Sequence, residues 1–527
     1  MSNNPTHKNA WKNLQKLSEQ TSDKHITAFF NDDESRVQNM TVQAEGFTLD
    51  YSKQRVTTDI IIELCALLNE SDFNAKRQAM FDGDIINNTE QRAVLHTALR
   101  RPAADKVNVD DHNVMPDIHS ALNKIKKFTD DVRNGTHKGV TGKKIKKVIS
   151  IGIGGSDLGP RLVSHALTTC AQADDRIIDT EFVSNIDGDD ITQALKNVNA
   201  EETLFVIISK SFKTQETLTN ALTARQWLKD NLPNDADIAP HFIAVSSNVT
   251  AVADFGINPD NIFPMWDWVN GRFSLWSAVG LSICLQHGFE KFEQLLAGAY
   301  QMDQHFLTTP LENNIPALMA LIGVWNRNFL NLSHLAILPY TQHLLHFPAY
   351  LQQLEMESNG KSVDYDEQPI TDYTTCPVMF GEVGTNGQHS FYQLLHQGSE
   401  TIPCDFIGVL KSDTLPHHHE LLLSHMMAQG QAMMQGRQNP DKPYRYFEGN
   451  KPSSTLLLDK MDAHMLGQLI ALYEHKTFTQ GVIWNVNSFD QYGVELGKEL
   501  SQKLENKDLS DADPSTKALH SLINNAK

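Results

Sequence analysis

The sequence contains four residues whose types and neighbours suit proton transfer or the stabilisation of an anion. Glu357 in "QLEMESNGK" follows Gln353 by four positions, which places both side chains on one face of a helix. His389 comes after a glycine-rich turn in "GTNGQHS", Arg272 lies among aromatic residues in "WVNGRFSLW", and Lys498 lies in "YGVELGKEL". A carboxylate, an imidazole and two cations are groups that could remove a weakly acidic proton and stabilise the resulting anion.

Each of the four also has an ordinary structural interpretation. Glu357 lies near a helix end signalled by Asn359-Gly360, where the helix dipole disfavours a carboxylate, but a solvated surface glutamate would fit the same place. His389 could be a packed histidine with satisfied hydrogen bonds, and Arg272 could form a structural ion pair. Lys498 could be a surface lysine. Taken singly, these stretches leave both interpretations open.

A fifth stretch, "SKSFKTQET" (209–217), concentrates hydroxyl groups where an apolar run, "TLFVIISK", ends. Ser209, Lys210 and Ser211 would follow the strand, and a helix beginning near Thr214 would add backbone N–H groups and the positive end of its dipole. This pattern suits a compact dianion such as a sugar phosphate. Helix capping alone is the alternative, although one cap needs only one hydroxyl.

The glycine-rich turn "GIGGSDLGP" (152–160) also follows an apolar run. It is not a dinucleotide loop, because Asp157 stands where the GxGxxG pattern requires its third glycine. Gly154 and Gly155, next to Ser156, would allow a ligand to approach the backbone closely. A tight turn between a strand and a helix is the structural alternative.

The elements that must position these residues alternate between strands and helices. Apolar runs such as "KKVISI", "DTEFV", "TLFVIISK" and "HFIAVSS", separated by helical patterns, predict one parallel doubly wound sheet. "SHLAILPY", "PVMFGEVG" and "CDFIGVLKS" predict a second one, and the two α/β halves could be distant copies. "GRFSLWSAVGLSICLQ" predicts a buried helix between them. We therefore expect an α/β fold with helical segments at both ends of the chain.

The predicted organisation has four segments. These are an N-terminal helical segment (1–120), a first α/β domain (121–290), a second α/β domain (291–500) and a C-terminal helical tail (501–527). In the first segment, "TTDIIIELCALLNE" and "NTEQRAVLHTALR" read as helices, the latter with Thr89 as its N-cap. In the tail, Asp513 and Pro514 are expected to begin a short capped helix.

Composition narrows the class of protein. The chain has 527 residues and a net charge of −19, which argues against a nucleic-acid partner but not against one local basic pocket. No apolar run is long enough to cross a membrane, and no apolar leader begins the sequence, so a soluble cytoplasmic protein is expected. Its five cysteines are predicted to be reduced thiols, since they form no CxxC pair. The histidines at 417–419 in "HHHELLLSH" read as a helix face rather than as metal ligands.

The order of the motifs is more distinctive than any one of them. "IGIGGSDLGP", "SKSFKTQET", "DWVNGRFSLWSAVG", "QLEMESNGK", "GTNGQHSFYQLLHQG" and "FDQYGVELGK" together resemble the phosphoglucose isomerase family, from about Glu45 to Lys498. The resemblance implies two sugar-isomerase (SIS-type) domains and a homodimer with shared active sites. It also implies an enzyme without metal or organic cofactor that interconverts D-glucose 6-phosphate and D-fructose 6-phosphate.

The resemblance also assigns roles to residues. Those that would bind the substrate are Gly155, Ser156, Ser209, Lys210, Ser211 and Thr214 around the phosphate, with Gln353 and Gln491 on the sugar. Glu357 would move the proton between C2 and C1, and Arg272 would stabilise the enediolate. His389, reaching from the neighbouring subunit and assisted by Lys498, would open the sugar ring.

Two positions depart from the family pattern. Asn270 stands where glycine usually precedes "GR", which bears on the local loop but leaves Arg272 in place. Lys213 stands where many members carry a hydroxyl, and it would either add charge near the phosphate or point to solvent. Two further hypotheses remain at this point: a non-catalytic sugar-phosphate sensor, and a related isomerase that also accepts mannose 6-phosphate.

Overall fold

The computed structural model describes residues 3–170, 176–412 and 414–526. Contacts within the chain divide it into two units, Met1–Ser488 and Phe489–Lys527. The four segments predicted from the sequence have different boundaries from these units and stay a prediction.

The strands belong to three sheets. In chain order they are β1 (Thr41–Ala44), β2 (Phe47–Asp50), β3 (Asn108–Val109), β4 (His112–Asn113), β5 (Lys147–Ile151), β6 (Asp179–Val183), β7 (Thr203–Ile208), β8 (Phe242–Val245), β9 (Ile262–Phe263), β10 (His334–Tyr340), β11 (Val378–Gly381), β12 (Cys404–Val409) and β13 (Ser453–Leu458).

Along the chain, the α-helices precede, separate and follow the strands. They are α1 (Asn9–Thr21), α2 (Ile26–Asp32), α3 (Arg36–Asn39), α4 (Thr58–Asn69), α5 (Phe73–Asp82), α6 (Met115–Asn134), α7 (Leu158–Thr169), α8 (Gly188–Ala194), α9 (Gln215–Asn231), α10 (Val249–Phe255), α11 (Leu281–His287), α12 (Phe289–Thr308), α13 (Ile315–Val324), α14 (Phe347–Leu351), α15 (Tyr392–Gln397), α16 (Pro416–Gln435), α17 (Ala463–Ile483), α18 (Glu495–Glu505) and α19 (Pro514–Asn525).

The first large sheet is parallel throughout and has the order β6-β5-β7-β8-β9. Every residue of β7 is buried, and its sequence "TLFVII" is apolar and β-branched along almost its whole length. Such strands need helices on both faces of the sheet, because neither face is polar enough for water. This confirms the first predicted doubly wound sheet.

The second large sheet has the order β1-β2-β13-β12-β10-β11. Its four strands from β10 to β13 are parallel and confirm the second predicted sheet. The hairpin β1–β2 joins β13 in antiparallel orientation and was not predicted. Its two turn residues, Glu45 and Gly46, both have positive φ, as a tight hairpin turn requires.

The parallel parts of the two sheets have the same topology. In the first sheet β7 lies between β5 and β8, and in the second sheet β12 lies between β10 and β13. Counted along the chain, β7 and β12 are each the third strand of their sheet's parallel series, β5–β9 and β10–β13. The turns that follow them therefore occupy equivalent positions at the carboxyl edge.

Two of the predicted helices are wrong in part. In "NTEQRAVLHTALR" the chain forms an isolated bridge between Asn87 and Arg92 and then a 3-10 turn at His96–Arg100. Residues 93–100 are all buried, so there is no polar face to support an amphipathic helix, and the Thr89 hydroxyl donates to Asn87 Oδ1 at 3.3 Å instead of capping one.

"GRFSLWSAVGLSICLQ" is likewise not a continuous helix. It forms 3-10 turns at Gly271–Trp276 and Ala278–Gly280 before α11 begins. The first of these turns is the one that carries Arg272. A regular α-helix would have presented its side chain differently, since 3-10 and α turns differ in rotation per residue.

The C-terminal unit contains α18 and α19, as predicted. Asp513 Oδ1 accepts hydrogen bonds from the backbone N–H groups of Ser515 and Thr516, and Pro514 is the first residue of α19. Within the described part of the chain, no helix is both long enough and apolar enough to cross a membrane.

Candidate active site

The candidate base lies on a widened helical turn. After α14 the backbone continues as a π-helical turn at Gln352–Glu357, which ends shortly before Gly360 as the Asn359-Gly360 signal predicted. π-helical turns are rare and are frequent at functional sites. Gln353 Oε1 and Glu357 Oε2 are both buried and accept no hydrogen bond. A buried acceptor without a donor is costly, so both atoms are suited to contact a polar substrate.

Arg272 is held beside this carboxylate. Its guanidinium is buried and donates from Nε to Ser358 Oγ at 2.6 Å and from Nη2 to the Ser488 carbonyl at 2.5 Å. Its Nη1 lies 3.5 Å from Glu357 Oε2. The cation is thus fixed in place next to the base, where it could stabilise a negative charge that forms on a substrate.

The glycine-rich turn packs directly against the Arg272 loop. A Cβ atom on Gly155 would lie 2.0 Å from the Gly271 carbonyl oxygen, so only glycine permits this approach. Gly154, at φ +61°, would place a Cβ 3.1 Å from Gln353 Nε2. The turn at Gly154–Ser156 therefore lies against Arg272 and Gln353, and its role in ligand binding stays a prediction.

The hydroxyl-rich turn follows β7 as predicted. Ser209 is buried and donates to Thr214 Oγ1 at 3.2 Å, while Ser211 is exposed. Thr214 is the N-cap residue of α9, but its side chain accepts no hydrogen bond from the first helical turn. Thr217 Oγ1, one turn later, is buried without a partner. Hydroxyl groups and the N-terminus of a 17-residue helix thus converge on one place.

Lys210 connects this turn to the segment that leads to Arg272. Its ammonium group donates to the carbonyls of Asp267 at 3.2 Å and Val269 at 3.4 Å, and it lies 3.3 Å from Asp267 Oδ1. Burial lowers the pKa of Lys210, and the Asp267 carboxylate opposes this. The lysine therefore ties the two loops together in addition to placing positive charge beside the hydroxyl-rich turn.

A buried ion pair supports the π-helical turn from behind. Lys476 Nζ on α17 donates to Glu355 Oε2 at 2.5 Å, and both side chains are almost completely buried. Asp405 at β12 is also buried, and this burial raises its pKa to about 6, against the opposing effect of Lys476. Sequence reasoning missed these residues because Glu355 and Lys476 are far apart along the chain.

A second buried network lies under the Arg272 loop. Arg100 donates to both oxygens of Asp303 at 2.7 and 2.6 Å and to Glu474 Oε2 at 2.7 Å, while Trp276 Nε1 donates to Glu474 Oε1 at 2.7 Å. Burial raises the pKa of Glu474 to about 7, although Arg100 opposes this. The network anchors the 3-10 turn on which Arg272 lies.

Three further predicted site residues are exposed. His389 is exposed at the end of a 3-10 turn, Asn386–His389, and within the described residues no hydrogen bond or ion pair joins it to Glu357 or Arg272. Gln491 and Lys498 belong to the C-terminal unit, where both are exposed and Lys498 lies on α18.

The two departures from the family pattern have simple structural outcomes. Asn270 has φ −78° and ψ 151°, an extended backbone that any residue adopts, so glycine is not required there. Lys213 is exposed, next to the buried Phe212 at φ +51°.

His417, His418 and His419 lie in the first turns of α16, and the described residues contain no group of three potential metal ligands.

The two sheets, the hydroxyl-rich turn and the paired base and cation define the class: an α/β aldose–ketose isomerase of sugar phosphates. The phosphoglucose isomerase family model matches residues 50–520. The glucose-6-phosphate isomerase of Deinococcus radiodurans is 48% identical over 516 residues, which span 96% of this chain and 95% of that protein. The chain belongs to the phosphoglucose isomerase family.

Two further similarities support this assignment. Glucose-6-phosphate isomerase 1 of Chromohalobacter salexigens is 48% identical over 520 residues, spanning 97% of this chain and 94% of that protein. The crystal structure of a glucose-6-phosphate isomerase from Chlamydia trachomatis superimposes with a TM-score of 0.88 at 33% identity, covering 99% of this chain and 100% of that one. The expected fold class and family are confirmed.

Proposed function

We propose that this chain interconverts D-glucose 6-phosphate and D-fructose 6-phosphate, the isomerisation step shared by glycolysis and gluconeogenesis. The observation that carries the proposal is the pair formed by Glu357 and Arg272, with 3.5 Å between Oε2 and Nη1. A base and a fixed cation side by side are what proton transfer next to a carbonyl needs.

The substrate phosphate provides the remote attachment point. The hydroxyl groups of Ser209, Ser211 and Thr214 donate hydrogen bonds to it, and Lys210 and the N-terminus of α9 contribute positive charge. Gly155 and Ser156 lie near the phosphate, on a turn that packs against the Arg272 loop. Binding energy from the phosphate then serves to hold the reacting carbons near the base.

The proton transfer is assigned to the Glu357 carboxylate, because it lies beside the Arg272 guanidinium. Glu357 removes the proton from C2 of the open-chain aldose, and the electrons move towards the carbonyl oxygen to give an enediolate. Arg272 stabilises that negative charge, a proton moves from the C2 hydroxyl to the C1 oxygen, and Glu357 returns a proton to C1 as the C2 carbonyl forms. Gln353, whose Oε1 is buried without a donor, orients a sugar hydroxyl near the base.

Ring opening requires groups from outside this cluster. His389 donates a proton to the ring oxygen as the bond between that oxygen and C1 breaks, and the C1 hydroxyl releases its proton to water to form the aldehyde. Lys498 assists this step and Gln491 holds the sugar. Since His389 is exposed and is not bonded to Glu357 or Arg272 within the described part of one chain, we propose that it serves the site of a second copy in a homodimer. We further propose a cytoplasmic location, on the basis of five cysteines without a CxxC pair, and no nucleic-acid partner, on the basis of the net charge of −19.

A sugar-phosphate sensor is the alternative from another class. Such a protein would need the hydroxyl-rich turn but not a carboxylate held beside a buried guanidinium. The test is an assay of turnover from fructose 6-phosphate to glucose 6-phosphate, coupled to oxidation of the product, with a chelator present. Turnover supports the isomerase, whereas tight binding without turnover would support the sensor. Mannose 6-phosphate in the same assay tests the side activity.

A further inference from the structure

The long helix α17 lies behind both parts of the candidate catalytic pair. All of its residues except His464 are buried, so it has no solvent-facing side. Glu474 and Lys476, near its middle, are therefore charged groups in a water-excluded environment. Charged side chains are rarely buried unless they are paired, because an unpaired buried charge is costly. The partners of these two residues show what the helix holds.

Lys476 holds the π-helical turn that carries Glu357. Its Nζ donates to Glu355 Oε2 at 2.5 Å, and Glu355 lies two positions before Glu357 in the turn Gln352–Glu357. Residues two apart on a helix do not face the same way. Accordingly, the Glu355 side chain is completely buried and bonded to α17, whereas the Glu357 side chain is 21% exposed. The pairing of Glu355 thus directs Glu357 away from α17 and towards Arg272.

A second contact holds the other end of this turn. Asn359, two positions after Glu357, donates from Nδ2 to the Thr477 carbonyl of α17 at 2.8 Å. Its Oδ1 accepts from Ser488 Oγ at 2.7 Å, and the Ser488 carbonyl in turn accepts from Arg272. Glu357 therefore lies between two residues that are bonded to α17, one before it and one after it.

Glu474 holds the 3-10 turn that carries Arg272. Its Oε1 accepts from Trp276 Nε1 at 2.7 Å, and Trp276 is the last residue of the turn Gly271–Trp276. Its Oε2 accepts from Arg100 Nη1 at 2.7 Å, and the Arg100 guanidinium lies over the Trp276 ring, 4.6 Å from the centroid. The indole is therefore fixed through its N–H and through one face.

One helix thus fixes both turns. Glu474 and Lys476 are two positions apart, so they point in different directions and reach different turns. Neither turn is a regular α-helix, since one is π-helical and the other is 3-10. The 3.5 Å between Glu357 Oε2 and Arg272 Nη1 therefore depends on the helix to which both turns are bonded. Stability alone does not account for the buried charges, because buried ion pairs can often be replaced by apolar side chains without loss of stability.

We propose that Glu474 and Lys476 are positioning residues of the isomerisation, which hold the base and the cation at the separation that proton transfer needs. This role rests on the proposed function, and neither residue contacts the substrate. Lys476 acts through Glu355, and Glu474 acts through Trp276. Loss of either attachment displaces the base or the cation from its partner.

The phosphate turn has supports of its own. The Lys210 ammonium group donates to the carbonyls of Asp267 and Val269, and the Lys210 carbonyl accepts from Ser246 Oγ and Ser247 Oγ. These supports do not pass through α17. Loss of an attachment to α17 should therefore lower kcat and leave KM nearly unchanged.

Two variants remove the attachments one at a time. Glu355→Met/Lys476→Met replaces the buried ion pair by apolar side chains of similar length, and Trp276→Phe removes the Nε1 donor but keeps an aromatic ring beneath Arg100. Each should lower kcat by about tenfold or more and change KM for fructose 6-phosphate by about twofold at most, since displacement of a catalytic group by about 1 Å can cost about 10²-fold. Thermal unfolding verifies that each variant is folded.

Matched substitutions elsewhere separate positioning from the loss of a buried polar bond. Glu448→Met/Lys451→Met removes another lysine–glutamate pair, with 3.1 Å between the charged groups and a lysine as buried as Lys476. Trp325→Phe removes an indole N–H that donates to the Arg55 carbonyl at 2.9 Å. Both control variants should keep native kcat, because neither bond holds the base turn or the cation turn.

The effect should also depend on the presence of the base. In a Glu357→Gln protein, Glu355→Met/Lys476→Met should lower the remaining kcat by about twofold at most, because no base is left to position. A purely structural role would lower kcat by the same factor in both backgrounds.

That equal factor would overturn the positioning role and leave the isomerase assignment standing. Native kcat in both attachment variants, with turnover of fructose 6-phosphate by the native protein, would do the same. A native protein without turnover would instead overturn the proposed function and the positioning role with it.

Discussion

At the scale of single residues, the proposed chemistry depends on Glu357 and on what surrounds its carboxylate. The Oε2 atom is buried, accepts no hydrogen bond and lies 3.5 Å from Arg272 Nη1. A surface glutamate, the ordinary interpretation of the sequence, would be solvated and would not lie beside a buried guanidinium. The surroundings of the residue therefore favour the catalytic interpretation.

The first prediction concerns this carboxylate. Glu357→Gln preserves size and polarity but removes the basic group, so kcat should fall by about 10²-fold or more with KM nearly unchanged. Steady-state kinetics with fructose 6-phosphate measures both. Glu382, a partly buried carboxylate beyond β11 whose Oε1 accepts from the Val383 N–H, offers the matched change, Glu382→Gln, which should leave kcat close to native. A Glu357→Gln protein with native kcat would place the base elsewhere.

A second prediction concerns the phosphate turn. Ser211→Ala/Thr214→Ala removes two hydroxyl donors without touching Glu357 or Arg272. KM for fructose 6-phosphate should rise by about 10²-fold or more, since two hydrogen bonds to a charged group are lost and each costs about 1.5–3 kcal/mol. Thermal unfolding should stay near native. Calorimetric titration of the native protein compares its affinity for glucose with its affinity for glucose 6-phosphate. Equal affinity for the two would contradict a role of this turn in binding the phosphate.

At the scale of elements, the glycine-rich turn and the Arg272 turn act as one unit. Gly155→Ala would set a Cβ 2.0 Å from the Gly271 oxygen, so the Arg272 loop must move. We expect kcat/KM to fall by about 10²-fold or more, because displacement of a catalytic group by about 1 Å has effects of this size. Gly188→Ala, where an added Cβ meets nothing within 4 Å, is the matched control for kinetics and folding. Equal kinetics for the two variants would mean that this contact does not position Arg272.

Buried charge near the π-helical turn makes stability depend on pH. Burial raises the pKa of Asp405 from 3.8 to about 6. The folded protein therefore binds this proton more tightly than the unfolded chain, and its stability falls as pH rises from about 4 to 6 and stays lower above. Asp405→Asn should increase the free energy of unfolding at pH 7.5 by about 2–3 kcal/mol and leave it unchanged at pH 4.

Urea unfolding at the two pH values measures this difference. Glu355→Gln is the comparison variant for Asp405→Asn, because it removes the carboxylate that accepts the hydrogen bond from Lys476 Nζ at 2.5 Å. That variant should lose about 3–5 kcal/mol at pH 7.5. If Asp405→Asn destabilised the protein equally at pH 4 and pH 7.5, the carboxyl would have a packing role rather than a titrating one.

The sequence predicted the elements with local signals better than those defined by distant contacts. The strand β7, the helix start at Thr214 and the cap at Asp513 each follow from a few adjacent residues, and all three are confirmed. The stretch 88–100 has a helical pattern, but residues 93–100 are all buried in the structure. Such burial overrides local periodicity.

The same distinction holds for the site. Gln353 and Glu357 share a predicted helix, so their proximity could be foreseen, although the π-helical form could not. Ser358 and Ser488, which fix Arg272, come from distant stretches and carry no recognisable motif. No local motif indicates that Lys476 pairs with Glu355 of the π-helical turn. The roles assigned to individual residues stay predictions until they are tested.

At the scale of the whole molecule, the exposed His389 is the reason to expect shared sites. If each site uses Glu357 of one subunit and His389 of the other, a Glu357→Gln chain and a His389→Ala chain complement each other. Each mixed dimer would have one intact site and one doubly defective site. Refolding the two variants together in equal amounts should restore about one quarter of native turnover, since about half of the dimers are mixed.

The control is each variant refolded alone, and the presence of mixed dimers is verified by a tag on one chain. Mixed dimers without recovered turnover would show that each site is built from a single chain.

The proposed function depends most on Glu357 moving a proton between C2 and C1 through an enediolate, and isotope tracing tests this step. Glucose 6-phosphate with deuterium at C2 is incubated with the native protein in ordinary water, and the fructose 6-phosphate formed is examined by NMR. We expect isomerisation with deuterium lost in part to solvent, because a carboxylic acid exchanges its proton with water, and neither event with Glu357→Gln. Product that keeps all of its deuterium at C1 over many turnovers, or label loss that persists in Glu357→Gln, would contradict the proposed proton transfer.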